Sequence, residues 1–189
     1  MKRVCVAVVL SVGCTPDSAP RAPEPEPEPG AGLRSAVDEA SSQASAAPKD
    51  GVPIELEVPL ISGESEALAD LRGKVVVLML SSSDRPGWSG FRSHFETRLG
   101  EVGRERLVVV AVANDADPEH LKAEWDRDPP PFLLGWDPDG ALALRLGVAK
   151  LPAVFVLDPE GKTRGNVASA DADALATVDT WVDAALPSR

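Results

Sequence analysis

The sequence of 189 residues predicts an α/β domain of three layers, a central mixed β-sheet flanked by helices. Three observations lead there. The runs Val75 to Leu80 and "RLVVVAVAND" are apolar almost throughout, as strands buried on both faces must be. Stretches with apolar residues at helical spacing alternate with those runs. Near the end, "AVFVLDPEGKTRGNVA" reads as a hairpin turning on Asp158-Pro159-Glu160-Gly161, which adds an antiparallel edge.

Taken in order, "IELEV" (Ile54 to Val58) alternates like a half-buried strand and runs into a turn at Ser62-Gly63. After the first buried strand, residues 87 to 102 place Phe91, Phe95 and Leu99 four apart on one helical face. The second buried strand ends at the turn formers Asn114 and Asp115. In "DPEHLKAEW", Pro118 takes the first helical position behind an Asp cap, with Leu121 and Trp125 on one face. "DPPPFLLGWDPDG" is irregular, with a short strand at Phe132 to Leu134. Ala141 to Leu146 forms a short helix stopped by Gly147. After the hairpin, Leu175, Val178, Val182 and Leu186 mark a closing helix over Ala170 to Leu186.

This domain is assigned to residues 51–189, and what precedes it is of another kind. The start "MKRVCVAVVLSVGC" sets two basic residues before an apolar run too short to span a bilayer, as an export signal does. The ending Leu10-Ser11-Val12-Gly13-Cys14 resembles the bacterial lipobox, although Ser11 stands where Leu is usual. That resemblance implies a signal peptide over 1–13 and lipidation of Cys14. With no Asp after the Cys, it also implies outer-membrane sorting. The expected location is the bacterial cell envelope, lipid-anchored on the periplasmic side. Residues 14–50 read as a tether: "APEPEPEPG" favours extended, self-repelling chain. Fully extended, it would reach on the order of 100 Å at about 3.1 Å per residue.

The formal net charge of −11 excludes nucleic acid as a partner, because the phosphate backbone would be repelled. Cys5 and Cys14 are the only cysteines. Cleavage before Cys14 would leave a mature chain with no free thiol and no internal disulfide.

Four segments in order carry a resemblance. "ALADLRGKVVVLML", "LVVVAVANDADPEHLKAE", "LLGWDPDGALALRLGV" and "GVAKLPAVFVLDPEGKTRG" are similar to the thioredoxin-like superfamily, in particular its TlpA/ResA-like branch of exported thiol-disulfide proteins. Members of that branch carry W-C-x-x-C where the first long strand meets its helix. Here those positions fall on Asp84 and the tetrad Arg85-Pro86-Gly87-Trp88, and the acid three residues further on is replaced by Phe91. Thiol-disulfide exchange needs an attacking thiolate and a second thiol to resolve the mixed disulfide. Neither Arg nor Trp supplies one, so dithiol chemistry is excluded for the unmodified monomer, and no cofactor or metal is expected.

The resemblance also places the family's cis-proline at Pro152, with Leu151 and Pro152 flanking Arg85 and Trp88. Two outcomes follow for that position: a shallow apolar and cationic binding surface, or an indole that plugs the vacated cleft. The function expected is a binding or scaffold module for a protein partner in the cell envelope. The alternatives are an accessory role in a thiol-disulfide pathway and a small-molecule site at the altered cleft.

Two other constellations fail on spacing. Ser81 to Ser83 with Asp84 and His94 lack a nucleophile elbow, and His94 lies two turns along the following helix. Asp115, Asp117, Glu119 and His120 match no calcium or zinc pattern and read instead as a helix cap and first turn. Trp125, Trp136 and Trp181 are assigned to the core or its rim.

Overall fold

A computed structural model describes residues 51–187. The expectations for the signal peptide, Cys14 and the tether lie outside the described residues. Among the described residues there are seven strands: β1 Glu57–Pro59, β2 Ser65–Ala67, β3 Val75–Ser81, β4 Leu107–Ala113, β5 Leu133–Trp136, β6 Ala153–Leu157 and β7 Thr163–Val167. Four helices accompany them: α1 Trp88–Val102, α2 Pro118–Arg127, α3 Ala141–Arg145 and α4 Ala172–Ala185.

The main sheet has the order β5-β4-β3-β6-β7. β3 runs parallel to β4, from Val75 opposite Leu107 to Ser81 opposite Ala113, and β4 runs parallel to β5. β6 is antiparallel to β3 and β7 antiparallel to β6, so the closing hairpin supplies the antiparallel side as expected. Within its turn, the Gly161 amide donates to the Asp158 carbonyl at 2.8 Å.

All seven residues of β3 are buried, because the strand is covered on both faces. Strand alternation sends Val75, Val77 and Met79 into the core under α1 and α4, where Phe91, Phe95, Val178 and Val182 meet them. Val76, Leu78 and Leu80 enter the opposite core with Phe155, Leu142 and Val58. In α1 the buried residues are Trp88, Phe91, Phe95, Leu99 and Val102, spaced three or four apart. Each fully buried phenylalanine contributes roughly 1.5–3 kcal/mol by leaving water.

The helix ends follow the sequence chemistry. The Asp117 carboxylate accepts from the Glu119 amide at the start of α2, with Pro118 at the first turn. Asp171 caps α4 by accepting from the Ala174 amide. The Gly147 amide donates to Leu144 and ends the α3 turn.

The start of the domain differs from expectation. The predicted strand over Ile54–Val58 shifts to Glu57–Pro59, and its partner β2 and a 3-10 turn over Leu68–Leu71 were not foreseen. β2 is the tripeptide Ser-Glu-Ala, too short and polar to show a period. Its existence depends on antiparallel pairing with β1, across a turn in which the Gly63 amide donates to Leu60. That hairpin also closes one sheet edge: Leu60 bridges Gly135, and the Ile61 amide donates to the Leu134 carbonyl on β5. Among the described residues, no helix is long and apolar enough to cross a membrane.

Candidate functional site

β3 delivers its last residues to the end of the sheet where β4 and β5 also finish, since all three are parallel. β6 begins there because it is antiparallel: Ala153 pairs with Leu80, which sets the preceding Leu151 and Pro152 beside the β3–α1 junction. The Leu151–Pro152 peptide bond is cis, as the family resemblance implied.

The junction is held from β4. The Asp115 carboxylate accepts from the Ser83 amide at 3.0 Å, the Ser83 hydroxyl at 2.8 Å and the Ser82 hydroxyl at 3.2 Å. Its backbone carbonyl accepts from the Trp136 indole at 2.8 Å, so β5 is tied to the same point. One strand further, the Asn114 side-chain amide donates to the Asp137 carbonyl, while the buried Asp137 carboxylate accepts from the Leu142 amide at the start of α3. These bonds immobilise three strand ends. Among these residues, Asp115 is the one whose side chain accepts from the two serine hydroxyls.

The chain then turns tightly. The Arg85 amide donates to Ser82, the Trp88 amide to Arg85, and the Phe91 amide to Gly87. Gly87 has φ 103°, and a Cβ there would lie 3.2 Å from the Ala170 Cβ and 3.3 Å from its carbonyl oxygen. The position therefore requires glycine on two grounds, backbone conformation and close approach of the segment leading to α4.

The four predicted junction residues separate into two groups. Arg85 is exposed, with Leu151 and Pro152 half-buried. Trp88, expected on one reading to be part of a binding surface, is instead only 5% exposed and belongs to the core with Phe91 and Phe95. The physical reason is helical register: residue 88 stands three before 91 and seven before 95, on the buried face of α1. A surface that includes the indole is not formed, since Trp88 is buried, as the cleft-plugging alternative expected; Arg85 remains exposed and Leu151 and Pro152 half-buried.

His94 is not brought to the serines. Its Nε2 stands 3.0 Å from Asp179 on α4, so no Ser-His-Asp array forms. Arg98, one turn further along α1, faces Asp179 and Asp183 of α4 and also Glu101. Burial disfavours the Arg98 charge, but Glu101, Asp183 and Asp179 together outweigh burial and hold its pKa above the ordinary arginine value. The acidic cluster divides as well: Asp117 caps α2, whereas Asp115 holds the junction rather than a helix turn. No group of three or more potential metal ligands gathers among the described residues. Trp125 and Trp181 are partly buried against the core, at its rim as expected.

Asp115 is the residue sequence reading missed. It stands where any turn former would serve, and its partners are more than thirty positions away in sequence. The usable signal was the pair of serines closing a buried strand, whose amides and hydroxyls need an acceptor.

Solved structures share this fold. A proposed thiol:disulfide interchange protein DsbE from Chlorobium tepidum aligns with TM-score 0.67 and 22% identity, over 75% of this chain and all of that one. The pneumococcal exposed lipoprotein thioredoxin Etrx1 from Streptococcus pneumoniae aligns with TM-score 0.55 and 21% identity, over 69% and 99%. A thiol-disulfide oxidoreductase from Bacteroides fragilis gives 0.57 and 17%, over 70% and 98%. At these identities the likeness shows a thioredoxin-like fold. No curated protein sequence matches the chain. The model of the AhpC/TSA family matches residues 48–165, which runs from before the first strand into β7 and covers more than half of the sequence. The chain is a member of the AhpC/TSA family.

Proposed function

We propose that this protein is an exported redoxin-family domain that has left dithiol exchange and acts as a binding or scaffold module in the cell envelope. One observation carries the reading. The strand-to-helix junction holds Ser82 and Ser83 on Asp115, exposes Arg85 and turns Trp88 into the core, and nowhere presents a thiol. Exchange needs a thiolate and a resolving thiol at this place, and a structural indole occupies the second position. What the junction offers outward is the exposed Arg85, at the end of the sheet where the half-buried Leu151 and Pro152 lead into β6, a surface for a protein partner. The lipobox-like segment ending at Cys14 supports lipid anchoring on the periplasmic side, with the outer membrane as the destination.

Dithiothreitol-driven insulin reduction by the purified protein tests the redox half, and a rate equal to the no-protein background is expected. Turnover above that background would end the reading. A photo-crosslinking amino acid at position 85, in cells, tests the binding half. Adducts that disappear when the crosslinker is moved to exposed Lys122 on α2 are expected, and identical adducts from both positions would count against this surface.

A further inference from the structure

The two edges of the main sheet differ. β5 is flanked by the N-terminal hairpin, through the Leu60–Gly135 bridge and the Ile61 amide donating to the Leu134 carbonyl. β7 has β6 on one side, and among the described residues no strand pairs with its other side. The single bridge there, Pro53–Lys162, stops one residue short of Thr163. An edge of this kind presents unpaired amides and carbonyls to any further strand. β7 contains no proline that would block such pairing.

A largely apolar groove of about 190 Å³ opens at the end of that edge. Its lining includes Asn166, Val167 and Ala168 at the end of β7, Phe155 of β6, and Val148 and Lys150 of the α3–β6 loop. Sites for whole small molecules run to about 300–1,000 Å³, so this groove suits a single aliphatic side chain. Charge narrows the choice further. The chain carries a net charge of −11, yet among the described residues Lys150 is the one charged residue lining the groove and Arg164 the one charged residue of β7. The Arg164 Nε faces buried Asp158 at 3.0 Å, and the Arg164 side chain is still 56% exposed. Both cations are therefore open to an incoming carboxylate.

We propose that β7 is a docking edge for an extended, acidic segment of a protein partner. The segment adds as a strand, sets one aliphatic side chain in the groove and carries an acid two residues to either side, for Arg164 and Lys150. Alternate residues of a strand share a face, so three side chains at that spacing act together. The pattern is symmetric and reads the same in either strand direction. Main-chain pairing supplies affinity, while the groove and the two cations select the sequence. This surface is separate from Arg85 and holds whether or not Arg85 meets a partner.

The probe is the peptide Ser-Glu-Thr-Val-Thr-Glu-Ser, blocked at both ends and titrated into the isotope-labelled full chain under NMR observation. Saturable shifts of the amides of residues 163–168 and 148–150 are expected. A peptide with Lys in place of both Glu should bind several-fold more weakly. Lys150→Glu should narrow or reverse that preference, whereas Lys122→Glu on exposed α2 surface should leave it unchanged. No saturable shift, shifts confined to other parts of the domain, or equal affinity for the two peptides would overturn the proposal. So would through-space contacts to β7 in the peptide-free protein, from residues 1–50 or from a second copy, because the edge would then already be taken.

Discussion

Asp115 holds the β3–α1 junction through three donors on Ser82 and Ser83. Replacing Asp115 by Ala leaves the Ser83 amide without its partner in a half-buried place, and a loss of about 1–3 kcal/mol is expected. Urea denaturation of Asp115→Ala measures it, and faster exchange of the Ser83 amide would locate the effect at the junction. Gly87 invites a complementary substitution. Gly87→Ala forces a side chain into a left-handed conformation against Ala170, so destabilisation by more than about 1 kcal/mol is expected, against the small gain alanine brings at unstrained sites. Of these two residues only the glycine was legible in the sequence, as the start of the helix over residues 87 to 102. The spacing of 88, 91 and 95 carried the burial of Trp88 equally plainly, because all three lie on one face of α1. Asp115 was illegible because its role is created by a partner strand, and strand partnership is a property of the folded sheet.

At the scale of elements, the long strands and helices were legible wherever a period or an apolar run extended over five residues or more. β3, α1, β4, α2 and α4 all fall near their expected bounds because burial on one or both faces dictates their composition. β2 and the 3-10 turn exist through pairing and carry no pattern of their own. Caps are the other local signal that survived folding. The Ala174 amide and the Ser169 hydroxyl together hold the Asp171 pKa below the ordinary aspartate value of 3.8. A folded pKa below the unfolded one gives stabilisation that is complete above the unfolded value and lost as pH falls through the folded value. Asp171→Ala should therefore unfold at lower urea than the parent at neutral pH. The gap should narrow as pH falls below 3.8, and a gap constant across that range would show that the carboxylate charge is not what caps α4. A second element-scale constraint is packing. A Cβ on Gly165 of β7 would sit 2.6 Å from the Trp181 ring of α4, so Gly165→Ala should separate helix from sheet and lose about 1–3 kcal/mol by overpacking, read as a lowered Tm.

For the whole molecule, a net charge of −11 on 189 residues sets the long-range field. Self-repulsion opposes the compact state and is screened by salt, with a Debye length of about 10 Å at 0.1 M. The urea midpoint should accordingly rise between low and physiological ionic strength, whereas a falling midpoint would show that the ion pairs between helices, Arg98 with Asp179 and Asp183 and Arg92 of α1 with Glu124 of α2, outweigh the general repulsion. At the β3–α1 junction three parallel strand ends converge and the Leu151–Pro152 loop leads into β6 on the same side of the sheet.

The unequal edges of the sheet have a consequence for assembly. A sheet open at both sides can recruit copy after copy and grow without limit. Here, among the described residues, the N-terminal hairpin lies against β5, so strand addition to the main sheet is directed to β7. If two copies joined through their open sides, the interface would be two-fold and closed, and it would stop at a dimer. The hairpin, whose second strand carries no sequence pattern of its own, thus narrows the places where another strand could add.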